Sequence, residues 1–337
     1  MPFLPYLHAV AERRSLGAAE ASEAMHSILA GDVSASQIAA FLVALRMKGE
    51  TVDELVGFAR AMRSMAVRID PGLDGEPLLD TCGTGGDGQS TFNISTIAAF
   101  VVAGAGVRVA KHGNRAASSH CGSADLLESL GVAVTLAPEQ VGRAIREIGV
   151  GFLFAPALHT AMKHAHPVRV ELKMRTVFNL LGPLTNPAGA TVQLVGAPSE
   201  HAAGLMAGAL AQLGLERGFV VYGSDGLDEI TTTGPTTAFE VRSGRVERRT
   251  VNPEDFGVTR ADAAALKGAD KGANVAIARA VLGGAAGPQR DIVLVNASAA
   301  LVAAGRAPDF LQGMKIARVS IDSGAAWRKV EELALFR

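Results

Sequence analysis

The sequence predicts an α/β protein: a small N-terminal helical domain over residues 1–69, then a large α/β domain over residues 70–337 whose mostly parallel central sheet is flanked by helices. Three observations predict it. The first 68 or so residues carry apolar positions at helical spacing and two helix-start signals but no strand pattern. From residue 77 short apolar runs alternate with helical segments, which implies parallel strands joined by crossover helices. A glycine-rich turn closes the first of those strands, the end of an open α/β sheet where ligands bind. With 337 residues, 48% of them hydrophobic, the chain has ample material for a core.

In the helical part, Leu4, Leu7 and Val10 and later Ala24 and Ile28 recur at helical spacing, with a break near Ser15 to Gly17. Ser34 with Gln37 and Thr51 with Glu54 match the capping box, in which the first side chain and the one three residues on satisfy each other's backbone N–H groups. Apolar faces follow both, Ile38, Phe41, Leu42 and Leu45, then Leu55, Phe58 and Met62; Gly49 ends the third helix. Asp70-Pro71-Gly72 reads as the boundary turn. No catalytic cluster lies in this module, so its faces are expected to pack on the rest of the chain or on a second subunit.

Strands are predicted at Pro77–Asp80, Val107–Ala110, Val132–Thr135 and Phe152–Phe154, with helices at Ile94–Gly104, Ala124–Leu130 and from Pro138 to near Gly149. Residues 157–187 interrupt the rhythm with helices at Ala157–Ala165 and Val168–Met174 around His166-Pro167, then FNLLGPLTNP, and the helices from about 157–185 are expected to rejoin the helical domain. Strands resume at Thr191–Val195 and Phe219–Tyr222 around a helix at Ala202–Leu213. Thr237–Val241 and Val246–Val251 form a hairpin on Ser243-Gly244. Helices close the chain at Ala273–Leu282, Asp291–Ala304, Pro308–Ile321 and Ala325–Leu335.

Composition excludes several classes. The 32 Lys and Arg balance 33 Asp and Glu, so no basic excess points to nucleic acid or a membrane surface, and any anion site must be local. Cys82 and Cys121, not arranged as CxxC, suit a reducing compartment and read as small buried side chains. No secretory leader or charge-free run long enough to span a bilayer is present, so a soluble, cytoplasmic protein is expected.

Three stretches carry chemistry. In DTCGTGGDGQSTFNIST, residues 80–96, the glycines 83, 85, 86 and 88 let bare backbone N–H groups approach a phosphate, and the following helix start adds unpaired N–H groups. In KHGNRAASSHCGSAD, residues 111–125, Lys111 and Arg115 stand near the hydroxyls of Ser118, Ser119 and Ser123, a set suited to polyanionic oxygens. In GSDGLDEITTTG, residues 223–234, the adjacent carboxylates of Asp228 and Glu229 suit a hard cation. His159, His164 and His166 lack the further ligand and spacing of a zinc site and are expected to be surface or hinge residues, as Met162 and Met174 are expected to pack.

Together these pieces resemble the anthranilate phosphoribosyltransferase family: GTGGD at Gly83 to Asp87, NIST at Asn93 to Thr96, KHGNR at Lys111 to Arg115, PVR with Arg169 before RTVFNLLGPLTNP, and GLDE at Gly226 to Glu229. Their order and spacing cover most of the chain. The resemblance implies a fold like that of nucleoside phosphorylases and phosphoribosyltransferases. It also implies a reaction of tryptophan biosynthesis, in which the amine of anthranilate attacks C1 of phosphoribosyl pyrophosphate and releases pyrophosphate. It assigns Gly83, Gly86, Asp87, Thr91, Asn93, Ile94, Ser95, Thr96, Lys111, His112, Gly113, Asn114, Arg115, Ala116, Ala117, Ser118, Ser119 and Ser123 to the donor. Mg²⁺ falls to Ser95, Asp228 and Glu229, and anthranilate to Gly83, Asn114 and Arg169; a homodimer is expected. Thr160 stands where the family usually has proline and Tyr222 where it usually has histidine, so local geometry at both points is expected to differ.

The residue types suit that chemistry. Loss of pyrophosphate leaves oxocarbenium-like charge at C1, so stabilising the leaving oxygens matters most and no protein nucleophile is needed. Anthranilate's weakly basic amine is largely unprotonated at neutral pH, so no strong base is needed; His112, with cationic neighbours and no orienting carboxylate, is expected to position rather than to act as base. A pyrimidine nucleoside phosphorylase would share the architecture but would use free phosphate, without need of an acidic metal pair. A non-enzymatic nucleic-acid-binding relative would need a basic stripe that the sequence lacks.

Overall fold

The structure, a computed structural model, describes residues 3–85, 89, 91–116 and 121–337. Four helices open it: α1 (Leu4–Ala11), α2 (Ala18–Ala30), α3 (Ala35–Lys48) and α4 (Val52–Met65). Both expected capping boxes form, Ser34 with Gln37 and Thr51 with Glu54. Glu54 does more than cap. Its fully buried carboxylate accepts from the N–H groups of Leu16 and Thr51 and from Lys48 Nζ, each at 2.9 Å, so one side chain ties α4 to the chain before α2 and to the end of α3.

The second part runs β1 (Leu78–Gly83), α5 (Ile94–Gly104), β2 (Arg108–Gly113), α6 (Ser123–Ser129), α7 (Pro138–Glu147) and β3 (Val150–Phe154). A crossover of short helices follows, α8 (Ala155–Leu158), a 3-10 turn (Thr160–His164), α9 (His166–Leu172) and α10 (Phe178–Leu181). Then come β4 (Val192–Gly196), α11 (Glu200–Gln212), β5 (Arg217–Gly223), β6 (Thr236–Arg242), β7 (Arg245–Val251), α12 (Lys271–Leu282), α13 (Pro288–Ala303), α14 (Phe310–Asp322) and α15 (Ala325–Leu335). The sheet has the order β3-β2-β1-β4-β5-β6-β7, parallel through β5, with an antiparallel hairpin at the edge. In that hairpin Ser243 and Gly244 both take positive φ, the primed turn that matches strand twist.

Alternation along the buried strands sorts the core. Leu79, Val109 and Leu194 face a cluster built with α5, α13, α14 and α15. Cys82, Val195 and Val220 face α11 and the helical module, whose cluster also takes in Ala165, Val168, Val177, Phe178, Leu181 and Leu184 of the crossover. Cys82 and Cys121 are both free and buried. No helix among the described residues is long and apolar enough to cross a membrane.

Three expectations need correction. Val132–Thr135 is not a strand: Val132 and Val134 are buried, giving a two-residue period, but they pack a segment that bends at Val134 and Thr135 on the core while β3 takes the sheet edge. The first crossover helix is shorter than expected, because a 3-10 turn replaces its end, and the second begins two residues earlier and keeps its length, with Pro167 in the first turn of α9, where a missing N–H costs nothing. Thr160, at the start of that turn, stands at the point of family departure. Finally, β1 and β2 run three residues beyond the predicted ends, so Gly83 and Lys111 to Gly113 are strand residues rather than loop.

Candidate active site

β1 hands the chain to β2 on one side through α5, whereas its other neighbour β4 hands it to β5 in the opposite direction. The crevice at the carboxyl ends of β1 and β4 is therefore the point where the sheet's winding reverses, and the predicted residues gather around it.

Three close approaches explain the glycines. A Cβ on Gly83 would stand 2.5 Å from Asp228 Oδ2, and one on Gly196 at the end of β4 would stand 1.6 Å from the Asp228 carbonyl oxygen. The acidic turn after β5 thus lies directly on two strand ends that carry no side chain. At the end of β2, a Cβ on Gly113 would stand 2.2 Å from Ser123 Oγ, the hydroxyl that accepts from Asn114 N–H and donates to the Asn114 carbonyl.

The two acidic residues reach the glycine loop from more than 130 positions away in sequence. Gly85 N–H donates to Asp228 Oδ2 at 3.3 Å, and Ser95 N–H, in the first turn of α5, donates to Glu229 Oε1 at 3.1 Å. A carboxylate at that position complements the positive end of the helix. Ser95, Asp228 and Glu229 therefore lie along one edge of the crevice. Among the described residues no group of three or more His, Cys, Asp or Glu could hold a metal by itself. Two carboxylates and a hydroxyl are instead an oxygen set for a hard cation that brings substrate phosphates as further ligands, and they fit Mg²⁺ in that sense.

Beneath the loops lies a buried polar layer. Asp80, fully buried on β1, accepts from His112 N–H at 3.1 Å and from Asn186 Nδ2 at 2.8 Å, and Asn186 also donates to the Ala110 carbonyl. Burial pushes the Asp80 carboxyl up from its usual range, against the opposing pull of Lys111. Lys111 itself is buried and directs Nζ to the Thr81 carbonyl, while Thr81 Oγ1 donates to the Ser95 carbonyl. His112 packs its ring 5.2 Å from that of His159, and Nε2 of each is buried without a partner among the described residues. Burial first, then His159 and Lys111, push the His112 imidazole down to about 3; burial pushes His159 down to about 4. Both rings are neutral near pH 7.

Arg115, expected to serve polyanionic oxygens, is paired within the chain. Its guanidinium pairs with Asp125 at 3.2 Å and Glu128 at 2.6 Å on α6, and this pairing holds its pKa above the usual arginine value. Asp125 also accepts from the N–H groups of Ala116 and Gly122, fixing the turn that carries Asn114, Arg115 and Ala116. Asn93 caps α5 without a side-chain bond to the helix: its amide donates to the Cys121 carbonyl, joining the glycine-loop and KHGNR segments. Thr91 forms a single antiparallel bridge to Lys267, and Ile94 and Thr96 are buried in the first turn of α5. Gly86, Asp87, Ala117, Ser118 and Ser119 lie outside the described residues.

Arg169 stands on α9, with its guanidinium 5.2 Å from the Phe178 ring. It has no acidic partner among the described residues and makes no hydrogen bond to Gly83 or Asn114. Burial lowers its pKa. Of the three clustered histidines, His159 is buried against His112, while His164 and His166 are exposed. Tyr222 is a partly buried residue of β5 that packs on the cluster facing α11.

Sequence reasoning missed the supports. Asp125 sits three residues after Gly122, a capping pattern that could have been read. Asn296, fully buried on α13, accepts from Ile230 N–H and donates to the Ile230 carbonyl, clamping the residue after Glu229. No local signal marks an asparagine inside a helix for that task.

Comparison with known proteins agrees with this architecture. Residues 4–66 match the helical bundle domain and residues 75–327 the a/b domain of the glycosyl transferase family. The chain is 70% identical over 336 residues to the anthranilate phosphoribosyltransferase of Solibacter usitatus, covering 100% of this chain and 99% of that one. It is similar to the crystal structure of anthranilate phosphoribosyltransferase from Thermus thermophilus, with a TM-score of 0.93 and 46% identity over 98% of each chain. It is also similar to the enzyme from Saccharomyces cerevisiae in complex with PRPP and Mg, with a TM-score of 0.88 and 29% identity over 98% of this chain and 96% of that one.

Proposed function

The chain belongs to the glycosyl transferase family of anthranilate phosphoribosyltransferases, and from that premise we propose that it transfers the 5-phosphoribosyl group of phosphoribosyl pyrophosphate to the amine of anthranilate, releasing pyrophosphate. It is a pentosyltransferase of tryptophan biosynthesis. The observation that carries this reading is the meeting of Asp228 and Glu229 with the glycine loop and the start of α5 at the reversal point of the sheet.

Donor binding falls to Gly83, Gly86, Asp87, Thr91, Asn93 to Thr96, Lys111 to Ser119 and Ser123, of which Gly83 ends β1 and Lys111 to Gly113 end β2. Ser95, Asp228 and Glu229 would hold Mg²⁺. When bound, the cation would supply positive charge to the leaving pyrophosphate oxygens. At the start of α5 the N–H groups of Ile94 and Ser95 are taken by the Phe92 carbonyl and by Glu229, so the cation rather than a bare helix end would carry the charge of the leaving oxygens. Arg169, without an acidic partner among the described residues, holds the acceptor carboxylate, and Asn114 and the Gly83 backbone complete that contact. A guanidinium already partly stripped of water binds a carboxylate more strongly than an exposed one does. His112, neutral and inserted between strand and crossover, is a poor base at pH 7 and serves to shape the wall beside Asn114.

The chain works as a homodimer in the cytoplasm. Supporting self-association, Leu4, Met47, Val170 and Met174 expose apolar side chains on the helical module and the crossover, where α3 packs on α9. Sedimentation at micromolar concentration is expected to show the dimer, and a clean monomer would contradict it. The reaction itself is tested by the loss of anthranilate fluorescence on adding phosphoribosyl pyrophosphate, with and without Mg²⁺. Turnover that needs the cation is expected. Equal rates in chelated buffer would remove the metal assignment, and no turnover in either buffer would remove the function.

A further inference from the structure

On the β4 side of the glycine loop lies a cleft of about 190 Å³ that touches that loop at Thr84 and Gly85 and is otherwise lined by residues outside the donor, acceptor and metal assignments above. It is lined by Arg46 and Glu50 from the end of α3, Thr84 after β1, Arg175 and Thr176 from the crossover, and His201 in the first turn of α11. Two features set it apart from ordinary space between packed helices. Arg46 and Arg175 form no salt bridge among the described residues; the Arg46 guanidinium donates only to the Arg175 carbonyl, at 2.9 Å. The hydroxyls of Thr84 and Thr176 are buried without a hydrogen-bond partner among the described residues, and Thr176 is only 5% exposed. A buried hydroxyl without a partner costs about 1–3 kcal/mol, which an acceptor in the cleft would recover.

We propose that this cleft is a second oxyanion site, which takes a compact phosphate oxyanion between Arg46, Arg175 and the two threonine hydroxyls. The lining argues for this ligand class. Two guanidinium groups outweigh the single carboxyl of Glu50, and guanidinium forks and hydroxyl donors match tetrahedral phosphate oxygens. The cleft also opens beside Gly85, whose N–H holds Asp228. The occupant can be inorganic phosphate from solution or, resting on the transfer reaction proposed above, the pyrophosphate released beside it.

The test is calorimetric titration of the full-length protein in EDTA with inorganic phosphate and, separately, with pyrophosphate, so that binding through Mg²⁺ is absent. Saturable binding is expected, weakened at least about tenfold in Arg175→Gln and several-fold in Thr176→Val, and unchanged in Ser95→Ala. Arg175→Gln keeps the backbone carbonyl that Arg46 binds, so it isolates the charge if an Arg46→Gln variant fails to fold. Binding of both anions assigns the site to phosphate in general, and binding of pyrophosphate alone assigns it to the leaving group. No saturable binding, or binding that survives Arg175→Gln and Thr176→Val but falls in Ser95→Ala, overturns the proposal. Because the titration measures no turnover, it stands even if the transfer assay fails.

Discussion

Gly196→Ala tests the seating of the acidic turn on the strand ends. The new Cβ would lie 1.6 Å from the Asp228 carbonyl oxygen and 2.9 Å from Asp228 Cβ. A carbon-to-oxygen contact needs about 3.3 Å, so some part must move by about 1.7 Å. The strand has little freedom, since Gly196 is paired with Gly83 of β1 on one side and Val221 of β5 on the other. The turn must yield, carrying the Asp228 carboxylate away from Gly85 and Glu229 away from Ser95. A misplacement of about 1 Å can cost on the order of a hundredfold, so at least that loss in kcat/KM for phosphoribosyl pyrophosphate is expected, with a higher Mg²⁺ midpoint. The assay is anthranilate fluorescence over a Mg²⁺ series. Gly204→Ala on α11 is the control: its Cβ would meet nothing nearer than Phe239 at 3.4 Å, and wild-type rates are expected. A folded Gly196→Ala protein with rates and Mg²⁺ midpoint within about threefold of wild type would refute the reasoning.

Arg169→Ala is expected to raise KM for anthranilate by about 10- to 100-fold while leaving donor binding nearly unchanged, the effect of losing a charged hydrogen bond; equal loss for both substrates counts against the acceptor role. The buried imidazoles set an acid limb to stability: His112 and His159 stay neutral in the fold down to about 3 and 4, whereas unfolded imidazoles take protons from about 6.5. Stability is therefore lost as pH falls below about 6.5, by about 2 kcal/mol per ring at pH 5, while the raised carboxyl of Asp80 works in the opposite sense. In urea melts at pH 7 and 5, His159→Asn should lose less between the two than wild type, and an identical loss would show that the ring is not the source. Glu54→Ala should cost about 3–5 kcal/mol in the same melts, because it strands the buried Lys48 and two N–H groups; a change under about 1 kcal/mol would remove that role.

Local chemistry decided much of what could be read directly. The capping pairs Ser34–Gln37 and Thr51–Glu54, the Ser243-Gly244 hairpin and the helices Ile94–Gly104 and Ala325–Leu335 depend on neighbours within a few residues, and the sequence displays those neighbours. The order and spacing of the glycine loop, KHGNR and GLDE segments likewise mark the family in the sequence itself. What the sequence could not display is set by contacts between distant parts of the chain. Val132–Thr135 has the alternation of a strand, yet whether it pairs depends on which segment occupies the sheet edge. Arg115 reads as a cation for polyanionic oxygens, and only the fold brings Asp125 and Glu128 on α6 to hold it; Glu54 reads as a cap until Leu16 and Lys48 are seen to converge on it. Motifs and propensities are local properties and were determined by the sequence alone. The meeting of Asp228 and Glu229 with Gly85 and Ser95 follows from the reversal of winding between β1 and β4, a property of the packed sheet, and only the tertiary structure decided it.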